Sequence, residues 1–236
     1  MTIGLDPVRM VRDIDLVSSW LDPFAGLRRD YGVIYADPPW SFATYSAKGR
    51  DRCPDAVGSD GGPRHYNLMT IDELKDLPVA SLAGPNCKLV LWTTAEIMPR
   101  AVEVGEAWGF QYASFAFIWA KLLPPLKPGQ KRSPTRQNPD LVFSKGYGTR
   151  ANGELSLLFR RPGGKMNRLN GSQEQFIIRP EDELIYAPVR KHSQKPDEAA
   201  ERIERMFEGP YLELFARRRR PGWDVWGDEV PADPRS

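Results

Sequence analysis

Apolar positions fall into short runs and helical stripes, separated by polar stretches rich in proline and glycine. Gly32-Val33-Ile34-Tyr35-Ala36 is a compact apolar run ended by Pro38-Pro39, and Lys88-Leu89-Val90-Leu91-Trp92 is a second; both predict buried strands. From Ala95 to Trp108, Ile97, Ala101, Val104 and Trp108 recur at helical spacing and Gly109 stops the pattern, which predicts a helix. The aromatic-rich run Ala113 to Ala120 predicts a third strand, and Leu155–Phe159 and Gln175–Ile178 are weaker strand signals. Pro196 to Glu208 predicts a helix with Pro at its start and Gly209 at its end; Ala199, Ala200, Ile203, Met206 and Phe207 form its inward face. Tyr211 to Ala216 predicts a last strand. Strands alternating with helices imply an α/β fold with a parallel sheet covered on both faces.

The 236 residues fit one domain, expected to span residues 1–236 with its core over about 30–229. Two stretches interrupt the pattern and are expected to be substrate loops. Residues 41–67 are crowded with Gly, Ser, Pro and Asp, and residues 122–168 open with four prolines between Leu122 and Asn138. No apolar run approaches the roughly 18–20 residues that span a bilayer. The segment from Met1 to Trp20 mixes Asp and Arg with apolar residues, unlike a signal peptide, so the expected location is cytoplasmic. The cysteines, Cys53 and Cys87, form no CxxC pair, and the histidines are His65 and His192; neither a metal site nor thiol chemistry is expected. The formal net charge of +2 says little, but its distribution says more. Lys121, Lys127, Lys131, Arg132, Arg136, Lys145 and Arg150 share one stretch with few acids, followed by Arg160, Arg161, Lys165 and Arg168. Such a stretch is either a solvated loop or a phosphate-binding surface.

The candidate chemistry lies in Asp37-Pro38-Pro39-Trp40, placed by the preceding run at the carboxyl end of a buried strand, where open α/β sheets bind ligands. A bare Asp-Pro pair is usually an ordinary turn, but this string offers more. An exocyclic amine on adenine is a poor nucleophile because its lone pair is delocalised into the ring; acceptors held against its N–H groups localise that pair. Asp37 offers a carboxylate, the two prolines stiffen the turn and leave carbonyls as acceptors, and Trp40 offers a face on which a flipped base can stack.

This tetrapeptide resembles the signature of the MT-A70 family of N6-adenine methyltransferases. Further matches follow in order. They are Leu91-Trp92-Thr93-Thr94, Glu106-Ala107-Trp108-Gly109-Phe110, Phe117-Ile118-Trp119-Ala120-Lys121, the stretch Gly148 to Leu155, Arg190 to Glu198, and Leu212 to Arg217. The resemblance implies a Rossmann-like S-adenosylmethionine-dependent methyltransferase fold with permuted, β-class-like motif order, the target-amine motif early and the cofactor strand late. It also implies the cofactor S-adenosylmethionine. Carried over by motif, Lys195 would contact the methionyl carboxylate, Arg217 would lie near the ribose, and Gly227, Asp228 and Glu229 would sit at the adenine and ribose ends. Asp37, His192, Ser193, Glu213 and Phe215 complete the implied cofactor set. Substrate contacts are expected from Trp40, Tyr45, Lys48, Trp92, Lys121, Lys131, Arg132, Arg136 and Arg150. Asp22-Pro23-Phe24-Ala25-Gly26 imitates a cofactor motif of related enzymes, but only ten residues separate Gly26 from Asp37, so it reads as a decoy.

Four functions compete: a DNA N6-adenine methyltransferase, which the similarity to bacterial and phage-like sequences favours; an RNA N6-adenosine methyltransferase; a catalytically silent nucleic-acid-binding scaffold, disfavoured by the intact tetrapeptide; and a small-molecule methyltransferase. The expected partner is nucleic acid, with no membrane, and the chain is expected as a monomer or homodimer, an obligate partner subunit being a further option.

Overall fold

The computed structural model describes residues 22–41, 68–132, 140–142, 151–164, 181–190 and 194–231. In chain order the elements are β1 (Tyr31–Ala36), α1 (Ile71–Lys75), β2 (Ala83–Thr93), α2 (Met98–Ala107), β3 (Gln111–Leu122), β4 (Gly153–Arg160), β5 (Leu184–Pro188), α3 (Asp197–Met206), β6 (Tyr211–Leu214) and β7 (Trp223–Trp226). The strands form one seven-stranded sheet in the order β5-β3-β4-β2-β1-β6-β7.

The expected parallel sheet holds for six of the seven strands; one is reversed. β4 runs antiparallel to both β2 and β3, while β1 pairs in parallel with β2 and β6, β3 with β5, and β6 with β7. β3 ends and β4 begins at the same sheet edge, so β4 runs back in the opposite sense. It inserts between β2 and β3. The carboxyl ends of the other six strands and the start of β4 therefore share one edge.

Both sheet faces are buried, as the near-continuous apolar runs require. Ile34, Leu89, Leu91, Leu157, Phe159, Leu212 and Leu214 point into one core with Ala101, Val104 and Trp108 of α2's flank. Val33, Tyr35, Val90, Trp92, Phe117, Trp119 and Leu158 point into the other, beneath Ala199, Ala200 and Ile203 of α3. Each fully buried large side chain contributes about 1.5–3 kcal/mol relative to exposure. α1 is held by a capping box between Thr70 and Glu73. It is tied to α2 by the Trp108 indole N–H, which donates to the Leu74 carbonyl at 2.6 Å.

α2 begins at Met98 rather than Ala95, with Pro near its first turn, where a missing N–H costs nothing. Gly109, at φ +80°, ends it as expected. The elements α1, β5 and β7 were not expected, and Gln175–Ile178 lies outside the described residues. Among the described residues no helix is long and apolar enough to cross a membrane. Cys87 is fully buried, and burial pushes its thiol up to about 12, which keeps it protonated.

Candidate active site

Asp37 leaves β1 at the carboxyl edge, between β2 and β6, where Ala36 lies beside Leu91 on one side and Leu214 on the other. Its Oδ2 accepts a hydrogen bond from the Lys195 Nζ at 2.7 Å. Lys195 sits two residues before α3, and the same ammonium lies 3.2 Å from Glu154 Oε2, at the start of β4. Glu154 in turn is paired with Lys121 at the end of β3. Four side chains from four elements thus form an alternating chain of charge, Asp37–Lys195–Glu154–Lys121. Its two inner members are almost covered, the Lys195 side chain 11% exposed and Glu154 10%. The Lys195 ammonium also lies 5.7 Å from the Trp92 ring centroid, and Lys121 5.3 Å from that of Trp119.

Burial alone would depress the Lys195 ammonium, but the Asp37 and Glu154 carboxylates outweigh it and raise its pKa. Burial alone would raise the Glu154 carboxyl, but Lys195 and Lys121 outweigh it and hold it below its ordinary value. Both shifts favour the charged forms, so Lys195 and Glu154 stay ionised across neutral pH. The two limits follow from linkage. Glu154 contributes stability above the ordinary carboxylate range, and that contribution is lost as pH falls through its depressed folded value. Lys195 contributes below the ordinary lysine range, and its share is lost as pH rises through its raised folded value. Glu154→Gln should therefore melt lower at pH 7 yet lose less on acidification from about pH 5 to pH 3 than the wild type. Parallel acid limbs in thermal melts of the two proteins would contradict this.

The tetrapeptide is less open than its sequence suggests. The Pro38 carbonyl accepts from the Trp40 N–H and the Pro39 carbonyl from the Met69 N–H, each at 2.9 Å. One lone pair of each carbonyl is thus committed and one is left. Trp40 is not an open stacking face: it is 6% exposed, belongs to the core under α2, and donates its indole N–H to the Trp92 carbonyl at 3.0 Å. A large apolar ring next to a β-bridge with Met69 is drawn into the core, and it locks the turn that carries Asp37. Trp92 is wholly buried as well, a floor beneath Lys195 rather than a substrate contact.

Beside Asp37 a crevice of about 140 Å³ opens over the ends of β6 and β7, lined by Asp37, Pro39, Met69, Phe215, Ala216, Arg217, Trp226, Gly227, Asp228 and Glu229. Phe215 adopts φ +59°, an unusual conformation for a bulky residue, which turns the chain away immediately after β6. Gly227 follows β7 against that turn; a Cβ there would lie 2.2 Å from the Ala216 carbonyl oxygen and 2.6 Å from its nitrogen. The two strand exits can approach only with glycine at this position. Gly227→Ala should force them apart; if the crevice holds the cofactor that the resemblance implies, its dissociation constant rises at least about tenfold, a loss of ~1.4 kcal/mol, and an unchanged constant in calorimetry would place the cofactor elsewhere.

Trp226 forms one wall, edge-on to Phe215 and Phe24, and its indole N–H donates to the Pro23 carbonyl at 2.8 Å. The stretch from Asp22 to Gly26, expected to be a decoy, is thus a turn that buttresses this wall. Arg217 faces Glu229 at 3.5 Å.

The structure gathers Asp37, Phe215, Arg217, Gly227, Asp228 and Glu229 around one crevice and sets Lys195 beneath Asp37. Glu213 is not among the lining residues. Its neighbours on β6, Leu212 and Leu214, enter the α2-side core, so its own side chain points to the α3 side, where it lies 3.6 Å from Arg220. Burial raises its carboxyl group. Lys121 is committed to Glu154, and Arg132 to Asp140 and to the Leu123 and Pro124 carbonyls. Lys131 is exposed. Tyr45, Lys48, Arg136, Arg150, His192 and Ser193 lie outside the described residues. Glu154 went unrecognised in the sequence, although a lone carboxylate heading an otherwise apolar strand requires a buried partner.

Comparison with known proteins agrees with this geometry. The MT-A70 family model matches residues 31–229. The Type II methyltransferase M.MunI of Mycoplasma sp is 31% identical over 213 residues, covering 86% of this chain and 79% of that protein. The human N(6)-adenine-specific methyltransferase METTL4 is 27% identical over 90% of this chain, which spans 40% of that protein. The human N(6)-adenosine-methyltransferase catalytic subunit METTL3 is 26% identical over 85% of this chain, which spans 28% of that protein. An early Asp-Pro-Pro-Trp strand end, a late crevice strand beside it and a match over most of the length lead to one conclusion: this chain belongs to the MT-A70 family of S-adenosylmethionine-dependent adenine N6-methyltransferases.

Proposed function

We propose that this enzyme methylates the N6 amine of adenine in DNA, in the cytoplasm. The observation that carries the chemistry is the Asp37 carboxylate, fixed by Lys195 at the mouth of a crevice suited to a nucleoside. The greater likeness to M.MunI and to the adenine-specific METTL4 than to the adenosine-modifying METTL3 supports DNA over RNA.

The crevice residues fit S-adenosylmethionine. Phe215, Trp226, Met69 and Pro39 give apolar walls for a purine, and the Asp228 and Glu229 carboxylates give acceptors for ribose hydroxyls. Gly227 allows close backbone approach, and Asp37 can take the methionyl amine. Lys195, bonded to Asp37, would offer its ammonium to a methionyl carboxylate, which would share it with Asp37 and Glu154. When bound, the cofactor supplies an electrophilic methyl group on a sulfonium.

The rest falls to the chain. Asp37 accepts a hydrogen bond from one N–H of the target amine, and the second lone pair of the Pro38 or Pro39 carbonyl accepts from the other. Together they localise the nitrogen lone pair and disperse the charge that grows on it during transfer. Lys195 and Glu154 are positioning residues: they hold the carboxylate in one orientation so that no reorganisation is needed at the moment of reaction. Trp40, locked onto the Trp92 carbonyl, keeps the two prolines in place.

The DNA assignment is tested with oligonucleotides of one sequence in DNA and RNA form, compared by single-turnover rates at saturating cofactor. DNA should react faster; faster reaction of the RNA would overturn the assignment while leaving the amine chemistry standing.

A further inference from the structure

Three guanidinium groups crowd one carboxylate on the α3 side of the sheet. Asp197, the first residue of α3, takes a 2.5 Å hydrogen bond from Arg190 Nη1 and an ion pair from Arg218, with Arg220 Nη2 3.6 Å away. Arg220 also lies 3.6 Å from Glu213 and is nearly covered, 15% exposed. Arg190 and Arg218 are not covered: their side chains are 40% and 44% exposed.

The charge count is unbalanced. Each guanidinium carries five N–H donors, and the carboxylate they share offers about four acceptor sites. Arg220 spends part of its capacity inward on Glu213, which leaves outward donors on Arg190 and Arg218 and a net positive charge around Asp197. The helix start adds to it, because the Pro196 cap supplies no side-chain hydrogen bond to the first-turn N–H groups. The crowding registers on Arg218 itself, whose guanidinium is pushed down by burial and by repulsion from Arg220 and Arg190.

Position decides what anion this serves. Lys195, two residues before Asp197, touches Asp37, and Arg218 follows Phe215 of the crevice by three residues, so the cluster borders the reaction centre. It is nevertheless separate from the nucleoside crevice, none of whose lining residues belongs to it. It lies on the opposite face of β6, with Glu213 rather than with Leu212 and Leu214. Two exposed planar forks suit the paired oxygens of a phosphodiester.

We propose that Arg190 and Arg218 hold a backbone phosphate of the nucleic-acid strand that carries the target adenine, with Asp197 as the internal counter-ion that occupies them in its absence. This rests on the reading of the protein as a nucleic-acid methyltransferase.

The experiment measures binding of a fluorescently labelled DNA oligonucleotide over a salt series for wild type, Arg190→Ala/Arg218→Ala and Asp197→Asn, with S-adenosylmethionine affinity by calorimetry and thermal melts beside it. A phosphate contact contributes about 0.7 to 0.9 to the slope of log affinity against log salt. The double variant should lose about that much slope and roughly tenfold or more in affinity at low salt, with cofactor affinity unchanged. Asp197→Asn, which removes the competing carboxylate, should bind the oligonucleotide more tightly than wild type even if it melts lower. An unchanged slope in the double variant with wild-type melting overturns the proposal. So does a loss confined to cofactor affinity, which would assign the arginines to the methionyl carboxylate, and so does unaltered or weakened oligonucleotide binding by folded Asp197→Asn. Failure of the wild type to bind any oligonucleotide would instead remove the underlying nucleic-acid reading.

Discussion

Asp37→Ala should reduce methyl transfer to less than a tenth of the wild-type rate while the protein still folds. Asp37 is the carboxylate at the crevice mouth, and its Oδ2 is held at 2.7 Å by Lys195. On the proposed mechanism the variant removes the acceptor that localises the amine lone pair, and the remaining lone pairs on Pro38 and Pro39 cannot replace a full negative charge. A tenfold loss corresponds to ~1.4 kcal/mol of barrier, and removal of a single preorganised electrostatic contact commonly costs two to three times that, about 2.7–4 kcal/mol. Folding should survive because Lys195 keeps Glu154 as a counter-ion. Asp37→Asn should be similarly impaired, since the amide keeps the shape but not the charge. Single-turnover rates at saturating cofactor check both; more than a tenth of wild-type activity in the alanine variant would show that Asp37 is not the essential group.

Lys195→Ala should be the most destabilising single change at the site. It leaves the Asp37 and Glu154 carboxylates facing each other across a nearly closed space, with Lys121, on the far side, the one remaining partner among the described residues. Breaking a buried ion pair by removing one partner costs about 3–5 kcal/mol, because the surviving charge is left uncompensated. For a domain of this size that is a fall in melting temperature of roughly 6–20 °C. Cofactor affinity should fall as well, by roughly 10- to 150-fold if the ammonium contributes a charge-assisted contact to the methionyl end. Combining Lys195→Ala with Glu154→Gln should recover part of the stability, since the second change removes one of the orphaned charges, but none of the activity. A single variant with unchanged melting and unchanged cofactor affinity would place Lys195 outside the network.

The strands that carry the site were legible because their runs are apolar on both faces: Val33 and Tyr35 serve one core, Ile34 and Ala36 the other. What such runs lack is direction. Leu155 to Phe159 reads the same in either sense, so the reversal of β4 was invisible, and with it the arrival of Glu154 beside Lys195. Short elements were missed for a different reason. α1 has five residues, less than two turns, and β5 alternates exposed Leu184 and Tyr186 around buried Ile185 too briefly to stand out. At the site, residues that leave strand ends, such as Asp37, Phe215 and Gly227, could be named from the chain order and the family resemblance. The state of the Trp40 ring could not, because a tryptophan in such a turn is equally compatible with stacking on a base and with filling the core. Only its partner, the Trp92 carbonyl, decides between them. The run Arg217-Arg218-Arg219-Arg220 carries no apolar or acidic residue that would set one arginine apart from the next. In the structure it splits, with Arg217 turned to Glu229 in the crevice and Arg218 and Arg220 to Asp197 across the sheet.

The most direct test of the central claim is to find the methyl group. The purified protein is incubated with S-adenosylmethionine labelled at its methyl carbon and with adenine-containing DNA oligonucleotides, which are then digested to nucleosides and analysed by mass spectrometry against authentic standards. The account predicts label in N6-methyldeoxyadenosine, dependent on intact Asp37. Label on cytosine or on a ring nitrogen of adenine, or no transfer to DNA or RNA by a folded, cofactor-binding protein, would contradict it.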